Sequence, residues 1–307
     1  MQGIAVDETM VYWMADGVLR KVPLAGGPPT MLAQGEYTRA GPRIDGRYAY
    51  WTTRGYDANE KRITNTGELR RVSIDGGPVE TLLGGRNPGS DLAAANGIAY
   101  FVDEQPGGST LVSSAGGGTP LTPAQSFVLR GDTLAFLDQS GLWSIRTDGS
   151  ERTALVPKPP VVVVHGPLAW SDLGIFYWRT RIANGSETKN GPTELSLHDA
   201  HGGDRILQSW EHMNVAAIAA SGATVYMVAR ASYGGGCILD SPPASDLLLA
   251  FDPETRVTRT LANRDRPGGS FYTDPPVIAP FPAFDPSYVY WLHDRTSGPS
   301  SLMRTPK

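Results

Sequence analysis

The sequence repeats one ordered unit: an aromatic segment, a basic and apolar segment, and a pair of glycines. The stretch "VYWMADGVLRKVPLAGGPPTMLA" runs from Val11 to Ala33, and "AYWTTRG" followed by "GELRRVSIDGGPVETLL" repeats the order between Ala49 and Leu83. Copies of this length are typical of architectures in which every copy forms one supersecondary unit. The repeat therefore constrains the fold more tightly than the chain length of 307 residues does.

The aromatic segment is found seven times. It begins at Val11, Ala49, Ala99, Leu134, Phe176, Val225 and Val289. Each copy follows a turn signal made of Asp, Asn, Gly, Ser or Pro residues, which provide the backbone angles and side-chain bonds of tight hairpins. The aromatic segment is therefore predicted to be the second strand of a hairpin.

The rest of each copy supplies the other strands of a small sheet. A strand rich in small residues precedes the aromatic strand, as radially arranged sheets require where they converge on an axis. A third strand, a glycine turn and a fourth strand follow. The sequence thus predicts an all-β, seven-bladed β-propeller with up-and-down four-stranded blades, in a single domain covering residues 1–307.

The seventh copy ends at "SLMRTPK" without a fourth strand. The last blade is therefore predicted to have three strands. Either the ring closes by side-chain packing alone, or a strand that this chain lacks completes it. In all copies the aromatic residues are interpreted as filling the wedges between neighbouring blades, because both faces of that strand are buried there.

Composition argues against several classes of function. A net charge of -4 and a pI near 5.8 give no general attraction to nucleic acid or to anionic membranes. The most apolar window, Asn214 to Ala231, has Ser221 and Gly222 at its centre and is interpreted as two strands and a turn. We predict neither nucleic-acid binding nor membrane insertion, and a monomeric protein.

Cys237 is the only cysteine, which excludes an internal disulfide, a cysteine-based zinc site and an iron–sulfur cluster. No cofactor is predicted, and a bound divalent metal is the alternative. Met1 leads directly into strand-like residues, and no secretory signal is present. We expect a protein outside the cytoplasm whose leader is absent from this chain, and a cytoplasmic location is the alternative.

The segments "YWTTRG" (Tyr50 to Gly55) and "LRRVSIDGG" (Leu69 to Gly77) together resemble the YWTD class of propellers. The sequence is also similar to bacterial secreted propellers with the repeat "VYW…G…L.KVPL.GG". The resemblance extends over nearly the whole chain and implies blade architecture without implying an activity. YWTD propellers usually have six blades, whereas seven copies are present here.

Long insertions fall after the second strand of a blade and between blades, which places them on one face of the disc. Arg54, Arg181 and Arg230 follow the aromatic strand in blades two, five and six, and Tyr233 and Asp274 lie in long loops of the same face. Such arginines are candidates for binding an anionic group around the channel mouth. The alternative is Arg–Asp pairing between adjacent blades, with Asp103, Asp138 and Asp294 at related positions.

Three histidines, His165, His212 and His293, also map to this loop-rich face. Imidazoles there could bind a metal or transfer protons, or they are ordinary loop residues. Trp210 lies in a link between blades, and is either a stacking platform for a ligand or a plug against a neighbouring loop.

No catalytic motif is recognisable, and the glycine-rich stretch from Gly84 to Asp91 lacks the strand-to-helix setting of a phosphate loop. The sequence therefore predicts a propeller that binds a small molecule or a protein on its loop-rich face. The alternative is a lyase or hydrolase, with or without an assisting metal, whose catalytic candidates are His165, His212 and His293.

Overall fold

The computed structural model describes residues 3–34, 38–55, 63–157, 162–181, 192–210, 213–231, 245–265, 282–293 and 301–307. These residues form seven antiparallel sheets, six with four strands and a last one with three. The chain is thus a seven-bladed β-propeller, and the predicted fold class, including the short last blade, is confirmed.

Each sheet uses consecutive strands, numbered here from the channel outwards. Sheets one to three contain β1 (Gly3–Val6), β2 (Met10–Ala15), β3 (Val18–Pro23), β4 (Thr30–Gln34), β5 (Thr38–Asp45), β6 (Tyr48–Thr53), β7 (Gly67–Ser73), β8 (Glu80–Arg86), β9 (Pro88–Ala95), β10 (Ile98–Gln105), β11 (Gly108–Ser113) and β12 (Thr119–Pro123). Sheets four and five contain β13 (Ser126–Arg130), β14 (Thr133–Asp138), β15 (Gly141–Arg146), β16 (Thr153–Pro157), β17 (Val162–Ser171), β18 (Gly174–Arg181), β19 (Thr193–Asp199) and β20 (Asp204–Trp210). Sheets six and seven contain β21 (Met213–Ser221), β22 (Thr224–Ala231), β23 (Ser245–Phe251), β24 (Thr258–Asp265), β25 (Ala283–Phe284), β26 (Tyr288–His293) and β27 (Ser301–Pro306).

Within the described residues, the helical structure is confined to one 3-10 turn, Ala115–Gly117. No helix in that part of the chain is long and apolar enough to cross a membrane. The apolar window from Asn214 to Ala231 forms β21 and β22 with a turn between them, as its central serine and glycine predict.

The aromatic strands fill the wedges between blades, as the sequence predicts. Trp51, Tyr50 and Trp178 are completely buried. Seven apolar clusters each join two neighbouring sheets. The cluster that joins sheets seven and one contains Ile4 and Leu292, so the ring closes by side-chain packing.

The first-to-second turns of sheets seven and one share one device. Asp7 accepts hydrogen bonds from the backbone N–H of Thr9 and Met10 and from the Tyr12 hydroxyl, the last at 2.7 Å. Asp285 accepts the equivalent bonds in sheet seven, with the Tyr290 hydroxyl at 2.6 Å. Each aspartate thereby fixes a tight turn and anchors a wedge tyrosine.

The fifth copy departs from the predicted alignment. In the other sheets the first aromatic-segment residue pairs with the inner-strand residue five positions before it, as in Val225 with Ala220 of β21. In sheet five Ile175 holds this position, opposite Trp170, and Phe176 comes one residue later. The predicted alignment on Phe176 is therefore wrong by one residue. Ile175 is the first residue of the segment in sheet five, so the tryptophan of "FYW" is the fourth residue rather than the third.

Candidate functional site

A cavity of about 370 Å³ occupies the central channel. Its wall is built from inner strands of sheets two to six and from Pro282, which precedes β25. In sheets five and six, the lining residues come from the second half of the inner strand. The cavity therefore lies nearer the face of short first-to-second turns than the loop-rich face. Its volume is within the range of small-molecule sites in proteins.

Most of the lining residues are apolar, because the inner strands carry small residues where the blades converge. Ala93, Leu129, Ile218 and Ala219 contribute to it, and Trp170 adds a partly exposed indole ring. Two charged residues, Arg43 and Asp91, interrupt this surface. An apolar cavity with few polar groups in defined places is the usual form of a site that orients a small ligand.

Arg43 occupies a position that is otherwise small and apolar around the ring. The inner-strand residue opposite the second aromatic position is Arg43 in sheet two, facing Tyr50. The equivalent residues in the other six sheets are Ala5, Ala93, Val128, Ala169, Ala219 and Ala283. This arginine departs from the repeat, which has five alanines and one valine at the equivalent positions. Packing of the inner strands does not require a charged side chain here.

The Arg43 side chain crosses to the neighbouring blade. Its Nε donates to the carbonyl oxygen of Leu92 at 2.9 Å, and its Nη1 donates to that of Pro42 at 3.1 Å. These bonds use carbonyl groups on the channel-facing edges of inner strands. They hold the guanidinium at the cavity wall in a defined orientation.

Asp91 is held in the same manner, one blade further round. Its Oδ2 accepts a hydrogen bond from the Ser126 hydroxyl at 2.5 Å and from the backbone N–H of Phe127 at 3.1 Å. Ser126 and Phe127 begin the inner strand of sheet four. The carboxylate therefore spans two blades, with one oxygen fixed by the next inner strand.

Both charged groups lie deep within the ring, although each is partly exposed to the cavity. Burial raises the pKa of the Asp91 carboxyl above its usual value, while the Ser126 hydroxyl, the Phe127 N–H and the Arg43 guanidinium act to lower it. Burial lowers the pKa of Arg43, and the Asp91 carboxylate acts in the opposite direction. Each group thus stabilises the charged form of the other in a region of low dielectric.

Among the predicted arginines, Arg54 has a described side chain, and it forms an ion pair with the adjacent blade. Its Nη2 donates to Glu104 Oε2 at 2.9 Å and to the Pro88 carbonyl oxygen at 2.8 Å. Arg39 approaches the other Glu104 oxygen at 3.5 Å. The guanidinium of Arg54 is 11% exposed. This geometry is an interblade ion pair, the kind of contact predicted as the alternative to anion binding, but the partner is a glutamate rather than the predicted aspartate.

Arg181 is the last residue of β18, and Arg230 is the penultimate residue of β22. The one-residue shift in sheet five places Arg181 one position later, relative to its wedge aromatics, than Arg230 in sheet six. The side chains of both lie outside the described residues, as do Tyr233 and Asp274. Convergence of the three arginines stays a prediction.

Trp210 ends β20 and packs into the wedge between sheets five and six. Its ring centroid lies 5.7 Å from that of Trp178 and 6.1 Å from that of Phe251. Trp210 therefore contacts strand residues of both blades and helps to fill the wedge, whereas the predicted plug was against a neighbouring loop. A ligand-stacking role for Trp210 stays a prediction.

The three candidate histidines cannot be assembled into a site from the described residues. His165 is in β17 and His293 ends β26, but their side chains, and all of His212, lie outside what the structure describes. No group of three metal-binding side chains occurs among the described residues. The catalytic and metal-binding roles of these histidines stay predictions.

Arg43 and Asp91 are not among the site residues predicted from the sequence, most of which lie in long loops. Both are in regular inner strands, and Arg43 lies two residues before the turn signal at Asp45. The signal that would have found Arg43 is present in the sequence. Counting seven residues back from the second residue of each aromatic segment, with Ile175 as the first residue of that segment in sheet five, places this arginine against five alanines and one valine.

No protein-family model and no curated protein matches the chain. Among solved structures, the β-propeller domain of the Trilobed protease from Pyrococcus furiosus matches with a TM-score of 0.59 and 11% identity, over 98% of this chain and 91% of that one. An acylaminoacyl peptidase from Pyrococcus horikoshii matches with a TM-score of 0.57 and 12% identity, over 100% of this chain and 52% of that one.

An oligogalacturonate lyase in complex with manganese matches more loosely, with a TM-score of 0.48 and 15% identity, over 99% of this chain and 75% of that one. At such identities, the likeness to the two proteins from Pyrococcus shows the propeller fold and does not extend to activity. The chain spans about half the length of the acylaminoacyl peptidase.

Proposed function

We propose that this protein is a ligand-binding propeller whose small-molecule site is the central channel beside Arg43 and Asp91. The observation that carries the proposal is the arginine at a position where the other six blades have alanine or valine, in the wall of a 370 Å³ cavity. Burying such a charge is costly, so its presence there favours a role beyond packing.

The arrangement favours a ligand that combines an anionic group with a hydrogen-bond donor and an apolar body. The guanidinium offers charge-assisted hydrogen bonds to a carboxylate or phosphate. Asp91 offers an acceptor oxygen close by, while Trp170 and Ile218 provide apolar surface. A low-dielectric wall strengthens both polar contacts relative to water.

A thermal-shift screen tests this proposal. Small carboxylates, phosphates and neutral sugars are added to the wild type, Arg43→Met and Arg54→Met. Both substitutions remove one arginine from the same blade, and only the first changes the cavity. We expect anionic ligands to raise the melting temperature of the wild type and of Arg54→Met, and to leave Arg43→Met unchanged. Equal shifts in all three proteins would refute a site at Arg43.

We further propose an extracytoplasmic, monomeric protein of this kind, as the sequence predicts. An enzymatic role, as a lyase or hydrolase, stays the alternative and rests on His165, His212 and His293. Binding without turnover of any ligand found in the screen supports the binding protein. Conversion of that ligand to a product would favour the enzyme.

A further inference from the structure

The seventh sheet differs from the other six at its outer edge. In the described residues, β27 pairs with β26 on one side and with no strand on the other, whereas a fourth strand covers the third in every other sheet. An uncovered strand edge presents unpaired backbone N–H and C=O groups and can accept an additional strand.

The exposure of one leucine in the third strand shows the effect of having no fourth strand. The third strand of every sheet has a leucine opposite the fourth residue of the aromatic segment, as in Leu302 opposite Leu292. In the six complete sheets it is 0% exposed: Leu19, Leu69, Leu111, Leu142, Leu195 and Leu248. In the seventh sheet, Leu302 is partly exposed. The seventh blade is therefore incomplete in its side-chain packing as well as in its hydrogen bonding.

The six fourth strands define the segment that fits such an edge. All six are antiparallel to the third strand and show a register shift directly after its leucine. The residue skipped by the shift is a leucine in every case: Leu32, Leu82, Leu121, Leu155, Leu207 and Leu261. A matching segment thus needs a leucine in a bulge, followed by a residue that pairs with Leu302.

Sheet two adds a charge to this pattern. Arg71, opposite Tyr50 in the third strand, lies 4.3 Å from the ring centroid of Tyr48 and donates to Glu80 of the fourth strand at 2.7 Å. Arg304 holds the equivalent place in sheet seven, opposite Tyr290 and 4.7 Å from the ring centroid of Tyr288.

The outer side of Arg304 is where a fourth strand would contribute a carboxylate. Arg304 is exposed, and its Nη1 donates to the carbonyl oxygen of Leu24, after β3, at 3.4 Å. The ion pairs of the described residues do not include Arg304. Its guanidinium is held over the Tyr288 ring, as that of Arg71 is held over Tyr48. The seventh sheet thus reproduces the arginine and tyrosine of sheet two without the glutamate.

We propose that the outer edge of β27 binds an extended segment of a partner protein by strand addition, and that this segment has the pattern Glu-x-Leu followed by an apolar residue. Main-chain hydrogen bonds to β27 supply affinity. The leucine covers Leu302, and the glutamate pairs with Arg304, so these two side chains supply specificity. This surface is on the rim of the disc and is separate from the channel.

The chain contains a probe for this site, the segment Pro78 to Arg86 ("PVETLLGGR"), which includes the fourth strand of sheet two. A labelled peptide of this sequence is titrated against the whole protein, and binding is followed by fluorescence anisotropy. We expect saturable binding that is lost when the peptide leucine equivalent to Leu82 is replaced by aspartate.

Charge reversal tests the register. Arg304→Glu is expected to weaken binding about tenfold or more, and a peptide with Glu80→Lys is expected to restore binding to that variant. Arg71→Glu is the matched control, and it should leave peptide binding unchanged if the peptide adds to sheet seven rather than displacing the strand of sheet two. No saturable binding to the wild type, or equal binding to wild type and Arg304→Glu, would overturn the proposal.

Hydrogen exchange identifies any other occupant of the edge. Without peptide, we expect rapid exchange at those Ser301–Thr305 amides that face away from β26, and slower exchange once peptide is added. If these amides are already protected in the protein alone, the edge is covered by its own chain or, where sedimentation shows a dimer, by a second copy. Either finding overturns the proposal for a partner protein.

Discussion

Arg43 and Arg54 belong to the same blade but have different surroundings. Arg54 lies toward the loop-rich face, where Glu104 of the next blade and the Pro88 carbonyl oxygen accept its hydrogen bonds. Arg43 lies at the channel, where carbonyl oxygens of Leu92 and Pro42 accept its bonds and Asp91 is the neighbouring charge in the cavity wall.

The difference separates a structural arginine from a candidate binding residue. An arginine at a blade junction can be matched by a carboxylate of the next blade, as Arg54 is by Glu104 near the end of β10. An arginine in the channel wall replaces a small residue and carries its charge into a cavity. Position within the repeat is therefore more informative about function than proximity to long loops.

The largest expected effect is on stability at the channel. Arg43→Met removes the positive charge that offsets the buried Asp91 carboxylate, and we expect a loss of about 2 to 4 kcal/mol. Both side chains are partly exposed to the cavity, which keeps this loss below the cost of breaking a fully buried pair. Urea denaturation measures it, and a loss under about 1 kcal/mol would place Arg43 in the same class as a surface arginine.

Arg54→Met should cost less, about 1 to 2 kcal/mol. It leaves the Pro88 carbonyl oxygen without this donor, but Glu104 is 33% exposed and can be solvated. The same urea experiment checks the order of the two variants. A greater loss for Arg54→Met than for Arg43→Met would reverse the comparison.

The pH dependence of Asp91→Asn examines the electrostatics of the channel. Because burial raises the pKa of Asp91, the folded chain holds this proton to higher pH than the unfolded chain does. The stability that this bound proton contributes to the folded chain is fully present below the usual pKa of an aspartate and is lost as pH rises through the raised pKa of Asp91. We therefore expect the stability of Asp91→Asn relative to wild type to increase as pH rises through that raised pKa. A difference that is constant between acid and neutral pH contradicts this.

Asp285→Asn gives the opposite dependence at the rim, with the smallest effect. Burial acts to raise the pKa of Asp285, but hydrogen bonds from Tyr290 and from the N–H groups of Ser287 and Tyr288 outweigh it and lower that pKa. The contribution is present above the usual pKa and is lost as pH falls through the lowered one. We expect a loss of about 0.5 to 1 kcal/mol at neutral pH that shrinks in acid. An unchanged or growing loss in acid would argue against this assignment.

Much of the fold was predictable because the constraints on it are repeated. Seven copies of a turn and an aromatic strand specify seven wedges, and buried aromatics such as Trp51 and Trp178 fill them. The shift in sheet five was missed because "IFYW" offers two similar alignments. Only the pairing of Ile175 with Trp170 distinguishes between them.

The candidate site was less predictable, for a physical reason. Arg54 has the charge and position that suggest an anion site, but its partner Glu104 is 50 residues away in sequence. Arg43 is close to a turn and looks like a solvated strand end. Only the geometry of the ring shows that the same strand position faces a cavity in several blades.

The most direct test is the affinity of an anionic ligand from the screen for three proteins, measured by calorimetric titration. If the ligand binds in the channel, Arg43→Met weakens binding by about tenfold to a hundredfold, as expected for the loss of a charge-assisted contact, while Arg54→Met changes it by less than about twofold. Weaker binding by Arg54→Met with unchanged binding by Arg43→Met would contradict the channel site and return the ligand to the loop-rich face.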